Sequence, residues 1–142
     1  MKALTRVYTV DANVILRYLL RDDEALWQKA YAAIRAVNEG SVKLVCDPVI
    51  LAEVVFVLGS IYRLTRQRIY ELLGPLVKAE GFLIPNKDLY IRALELYGNS
   101  VSHFGDACAC AMALDTSEGR LLSFDKKISN VPGVERLEEL TP

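Results

Sequence analysis

Apolar positions along the chain follow two alternating rhythms. Residues 6–10 run Arg, Val, Tyr, Thr, Val, the composition of a strand. Residues 13–21 begin a helix. Leu26, Ala30, Ala33 and Val37 then recur at helical spacing, and Gly40 stops that helix. Residues 42–46 form a second strand. Asp47 and Pro48 supply a cap and a proline at the first helical position. The helix beyond them is apolar nearly all round, which predicts burial on most faces. Thr65 caps the next helix, with Ile69, Leu72, Leu73 and Leu76 on one side, and Pro75 is expected to kink or interrupt it. Residues 82–84 make a short strand. Asn86 caps a helix whose stripe is Leu89, Ala93 and Leu96. Residues 106–114 form a small-residue helix, and 120–124 and 134–137 are the last two strands.

Strands alternating with helices imply an α/β fold. We expect three layers, a central parallel sheet with helices on both faces. In such sheets ligands bind beyond the carboxyl ends of the strands, so the acids just after strands and at helix starts are the ones to inspect. The 142 residues suit one domain spanning 1–142, with no Ser/Gly linker, low-complexity tract or repeat to divide it.

Composition narrows the chemistry. A hydrophobic share of 52% with 25% charged residues argues against disorder. A net charge of −1 excludes a strongly basic field over the whole molecule. Three cysteines and one histidine fit neither a disulfide framework nor a zinc site, and point to a reducing, cytoplasmic compartment. Asp11 and Arg17 interrupt the first apolar stretch, which argues against a signal peptide. The most apolar stretch, residues 49–58, contains Glu53 and is too short to span a bilayer, so no membrane association is expected.

Four carboxylates then stand out. Asp11 closes the first strand and Asp125 the strand 120–124. Asp106 follows Gly105 at a helix start. Glu53 has Val49, Ile50, Phe56 and Val57 one turn away, none able to pair with it. An unpaired buried carboxylate is costly. Three explanations of Glu53 stay open: an exposed rim, a protonated acid, or a facing cation. Each Asp also has a plain structural use, as a helix cap or turn residue. Taken together, all four can converge on one edge of the sheet. Like charges held that close need a cation. With only oxygen ligands on offer, Mg²⁺ or Mn²⁺ suits them, and phosphoester hydrolysis is the natural reaction class. Setting the four aside leaves 17 − 14 = +3. Arg63, Arg66 and Arg68 form one local cluster, and Arg17 and Arg21 another, as a solvated face or as phosphate contacts. His103 is expected to be structural or solvent-facing. Trp27 and Tyr31 are expected to serve packing rather than RNA stacking. Cys46, Cys108 and Cys110 look like small buried hydrophobes.

These residues resemble PIN-domain proteins, and among them the VapC-type toxins of toxin–antitoxin pairs. The resemblance runs from about Val7 to Leu140. Its motifs are Val10-Asp11-Ala12-Asn13-Val14-Ile15-Leu16, then Ile50-Leu51-Ala52-Glu53-Val54. Phe104-Gly105-Asp106-Ala107 follows, and Ser123-Phe124-Asp125-Lys126 with Val131-Pro132-Gly133-Val134 behind it. The resemblance implies that Asp11, Glu53, Asp106 and Asp125 hold one or two Mg²⁺ or Mn²⁺ ions. It implies that Asn13 and Ser123 are polar helpers orienting an acid or a water. The activity implied is endoribonuclease cleavage of RNA by a metal-activated water. The partners implied are a small antitoxin and a second copy in a homodimer. Ala12 stands where the family often has Thr or Ser. Lys127 and Ile128 stand where many members have a further acid and Phe, so the fourth acidic corner rests on Asp125 alone.

Other functions fit parts of the pattern. A non-toxic RNA-processing nuclease would use the same acids. A binding module that has lost catalysis would fit the thinner fourth corner. An aspartyl-phosphate phosphatase would also want an Asp after the first strand, but the position two residues on is Asn13.

Overall fold

The computed structural model describes residues 5–140. The chain is α/β, with every paired strand parallel. Its order is β1 (Arg6–Thr9), α1 (Ala12–Leu20), α2 (Glu24–Asn38), β2 (Val42–Val45), α3 (Pro48–Ser60), α4 (Arg66–Lys78), β3 (Phe82–Leu83), α5 (Lys87–Asn99), α6 (Phe104–Thr116), β4 (Arg120–Leu122), a 3₁₀ helix (Lys126–Asn130) and β5 (Glu135–Leu137). The strands fall in two groups. One sheet has the order β1-β2-β3, and β4 pairs with β5 in another. Thr9 lies opposite Val45, Val45 opposite Leu83, and Leu122 opposite Leu137. The strands are parallel and interleaved with helices as expected, and no ladder joins β1 to β4.

Local chemistry sets most element ends. Asp23 caps α2 by accepting from the Leu26 N–H at 3.1 Å. Asp47 accepts from the Val49 N–H at 2.8 Å, with Pro48 at the start of α3. Thr65 accepts from the Arg68 N–H at 3.1 Å and opens α4. Each cap satisfies an N–H that a helix start leaves without a partner. Asn86 differs from expectation. It is left-handed (φ 57°) and makes no side-chain cap bond. Asp88 in the first turn of α5 supplies the negative charge that a helix start favours. Pro75 does not end α4, which continues to Lys78. The ring is exposed, so water can take the carbonyl it leaves without a bond.

The core lies where α3, α4, α5 and α6 meet the strands. Leu51, Leu58, Ile69, Leu73, Phe82 and Leu94 are buried there. Helix α3 corrects the expectation of burial on most faces. It buries Leu51, Val54, Val55 and Leu58, while Val49 (72%) and Phe56 (65%) are exposed. Burial thus follows one stripe of α3. Among the described residues no element covers Val49, Ala52, Glu53 and Phe56 on the other side. Trp27 settles the corner between α1 and α2. Its indole N–H donates to the Tyr18 carbonyl at 3.1 Å, its ring stacks on Tyr31, and the Arg21 guanidinium lies 3.6 Å over it.

Candidate active site

Asp11 and Asp125 each follow a strand and each cap what comes next. Asp11 caps α1, its Oδ1 accepting from the Ala12 N–H at 2.7 Å. Asp125 caps the 3₁₀ helix, its Oδ1 accepting from the Lys127 N–H at 2.9 Å. In both, the second carboxylate oxygen accepts no hydrogen bond from a described residue. A cap does not consume a carboxylate, because one oxygen is enough for it. Ser123 Oγ accepts from the Asp125 N–H at 3.1 Å, and Arg136 donates to the Ser123 carbonyl at 2.9 Å. That pair sets the backbone from which Asp125 projects.

Asp106 lies in the first turn of α6 and is half-buried. The cap position itself is His103, which is exposed and makes no side-chain cap bond. Glu53 is exposed midway along α3, which answers the question its unpaired neighbours raised: the helix rim is open to water there. Asn13 is engaged elsewhere. Its side-chain oxygen accepts from Arg17 Nε at 3.2 Å, and Arg17 pairs with Asp22 at 2.7 Å. The Tyr62 hydroxyl donates to the same Asp22 at 3.1 Å. Hydrogen bonding to Arg17 holds the Asp22 carboxyl below its usual range, and Asp22 in turn raises Arg17. The two arginine clusters are therefore not a free cationic surface throughout, since Arg17, Arg21 and Arg68 all hold carboxylates.

The four acids are oxygen donors, which matches a hard divalent cation. Sulfur adds nothing to that set. All three cysteines are free. Burial pushes the Cys46 and Cys108 thiols up to about 11, and burial with the nearby Asp106 charge raises Cys110. All three are neutral near pH 7 and are poor thiolate ligands. Placement is another matter. Among the described residues no three His, Cys, Asp or Glu side chains stand close enough together to hold a metal ion. Asp11 ends a strand of one sheet and Asp125 a strand of the other, and no ladder joins them. The donor chemistry fits; the single chain does not gather it.

One feature beside these acids was not expected. A cleft of about 680 Å³ runs between α3, α4 and the start of α6. Val55, Phe56, Leu64, Tyr97 and Phe104 line it, with Arg66 and His103 among its polar groups. The signal for it in the sequence was the surplus of apolar residues on α3 beyond what one stripe needs.

Parallel strands joined by helices, with carboxylates following β1 and β4 and opening α6, define an α/β protein whose candidate chemistry rests on oxygen donors at strand ends. The model of one family, the PIN domain, matches residues 8–134. The chain belongs to the PIN domain family, whose members are in general nucleases. No curated protein matches it. Among the described residues no helix is long and apolar enough to cross a membrane.

Proposed function

We propose that this chain is a divalent-metal-dependent endoribonuclease, the toxin of a type II toxin–antitoxin pair that acts in the cytoplasm as a homodimer. The observation that carries the reading is the placement of Asp11, Asp106 and Asp125 at two strand ends and a helix start, inside the PIN match. Asp11, Glu53, Asp106 and Asp125 are the residues that would hold Mg²⁺ or Mn²⁺. An ion of that kind would make a water lose its proton readily, so that hydroxide can attack a phosphodiester. The chain's own contribution is orientation. The Ala12 and Lys127 N–H groups fix one oxygen of Asp11 and Asp125 and leave the other for the ion. Ser123 holds the Asp125 backbone through its hydroxyl, the helper role we assign to it. Asn13 acts at one remove, steadying Arg17 at the end of α1. The cleft beside α6 supports an antitoxin partner. Its apolar lining suits an inserted hydrophobic segment, and Asp106 lies in the first turn of the helix that borders it.

The test is cleavage of a panel of structured and single-stranded RNAs in Mg²⁺, Mn²⁺ or chelator, with Asp106→Asn prepared in parallel. Metal-dependent cuts that vanish in the variant, with the far-UV spectrum unchanged, support the reading. Equal cleavage by Asp106→Asn refutes these site assignments. A second reading, a binding module without turnover, draws on the acids not being gathered within one chain. RNA or partner binding with no cleavage in any divalent ion would favour it.

A further inference from the structure

We propose that the cleft between α3, α4 and the start of α6 seats one nucleotide of a single-stranded RNA, its base stacked on Phe56 and its phosphate held by Arg66. The inference rests on the nuclease reading and names where the substrate of that site lies.

The cleft encloses about 680 Å³. That is within the roughly 300–1,000 Å³ of sites that hold small organic ligands. Phe56 is 65% exposed, whereas Val55 and Phe104, which also line the cleft, are buried. A bare aromatic ring is a ready stacking platform for a base. Phe56 follows Glu53 by three residues on the open side of α3. Side chains at that spacing are neighbours, with Cβ atoms about 5–6 Å apart. Ala52 and Gly105 line the cleft as well. Each adjoins a candidate acid in the chain, Glu53 and Asp106. A base in the cleft therefore brings its own backbone to the acids.

Charge selects the occupant. No carboxylate is among the described residues that line the cleft, and Arg66 is. Arg17, Arg21, Arg35, Arg68, Arg120 and Arg136 each hold a carboxylate. Arg66 pairs with none among the described residues. Its Nη1 donates to the Tyr97 carbonyl at 3.5 Å, the outer limit of a hydrogen bond. An apolar protein segment would use Phe56 but leave Arg66 without a counter-charge. A nucleotide answers both. Ser60, Ser102 and His103 add hydroxyl and imidazole groups to the lining, and such groups bond the edges of an unpaired base. A base inside a duplex cannot turn its face to Phe56, so the cleft selects single strands. RNA and a partner segment in this cleft exclude each other.

Photo-cross-linking locates the base. The probe is a pool of single-stranded RNA decamers, randomised except for one iodouracil. It is irradiated with the wild-type protein in chelator, where metal-dependent cleavage does not compete, and the adduct is mapped by mass spectrometry. The adduct is expected at Phe56 or His103. An adduct confined to other elements overturns the proposal. Fluorescence anisotropy with the same pool, labelled, measures binding. Phe56→Ser, at an exposed position, should weaken binding about tenfold, and Phe56→Trp should keep it. Arg66→Gln should lower the slope of log affinity against log salt by about 0.7, and Arg66→Lys should restore it. No binding by the wild type, or variants that bind as the wild type does, overturns the proposal and leaves the cleft to a protein segment. An adduct in the cleft without cleavage of any RNA in Mg²⁺ or Mn²⁺ upholds the subsite and counts against the nuclease reading instead. Cleavage that Phe56→Ser and Arg66→Gln leave unchanged upholds the nuclease reading and removes the subsite.

Discussion

Replacing Gly119 by Ala should loosen the β4–β5 unit more than its size suggests. Gly119 sits at φ +82°, and an added Cβ would stand 1.9 Å from the Gly133 carbonyl oxygen and 3.1 Å from its carbon. Carbon and oxygen normally stay about 3.3 Å apart. Both obstructing atoms are backbone, so no rotamer change relieves the clash. The left-handed conformation itself costs an L-residue about 1–2 kcal/mol. Moving Gly133 aside also strains the 2.8 Å bonds from the Glu135 N–H to the Gly119 carbonyl and from the Gly119 N–H to the Ala113 carbonyl. Each such bond is worth about 1 kcal/mol. The sum is about 3–4 kcal/mol, or about 10 °C in melting temperature for a domain of this size. Gly105→Ala is the internal control. Nothing lies within 4 Å of its added Cβ and its backbone is helical, so a gain of about 0.5 kcal/mol is expected. Thermal melts followed by circular dichroism give the size of each effect. Hydrogen exchange should place the lost protection in residues 118–137 first. A Gly119→Ala melt within about 2 °C of wild type would falsify the packing argument.

Three further outcomes follow from the same structure. Leu58→Ala, at a fully buried site of α3, should cost about 2–5 kcal/mol, whereas Phe56→Ser two residues earlier should stay within about 0.5 kcal/mol; urea titrations that rank them the other way would contradict the face assignment. Trp27→Phe keeps an aromatic ring to stack on Tyr31 but loses the indole bond to the Tyr18 carbonyl, so a loss of about 1 kcal/mol is expected, and Trp27→Ala should lose about 3 kcal/mol with the stack as well. Stability should fall between pH 9 and 11. The Cys46 thiol rises from its ordinary 9.0 to about 11 in the fold, so the native state keeps a proton that the unfolded chain releases. The associated stability is full below the lower value and is lost as pH rises to the upper one. Urea midpoints at pH 8 and 10.5 should converge less in wild type than in Cys46→Ala, and an equal drop in both would remove Cys46 as the cause.

Much of this architecture was readable from the residues alone. Helix starts at Asp11, Asp47 and Thr65 were legible because a cap is a local event, one side-chain oxygen meeting an N–H two or three residues on, or the very next one at Asp11. The first two strands were legible because runs rich in Val end at Asp11 and Asp47. Asn86 misled because its residue type suits a cap and a left-handed turn equally, and the choice depends on the chain around it. The candidate acids were legible as a list, because carboxylates at strand ends are rare enough to notice.

What only the tertiary structure decided is which surfaces meet. The apolar surplus on α3 could not be assigned to core or cleft from its sequence, since Phe56 and Leu58 have the same local signal and opposite burial. Likewise the alternation of strands and helices determined parallel pairing but not which strands share a ladder, and none joins β1 to β4. Pairing between distant strands depends on how the intervening turns aim each element. Glu118 and Gly119, both left-handed, form the turn that leads into β4, a conformation that only the folded chain reveals.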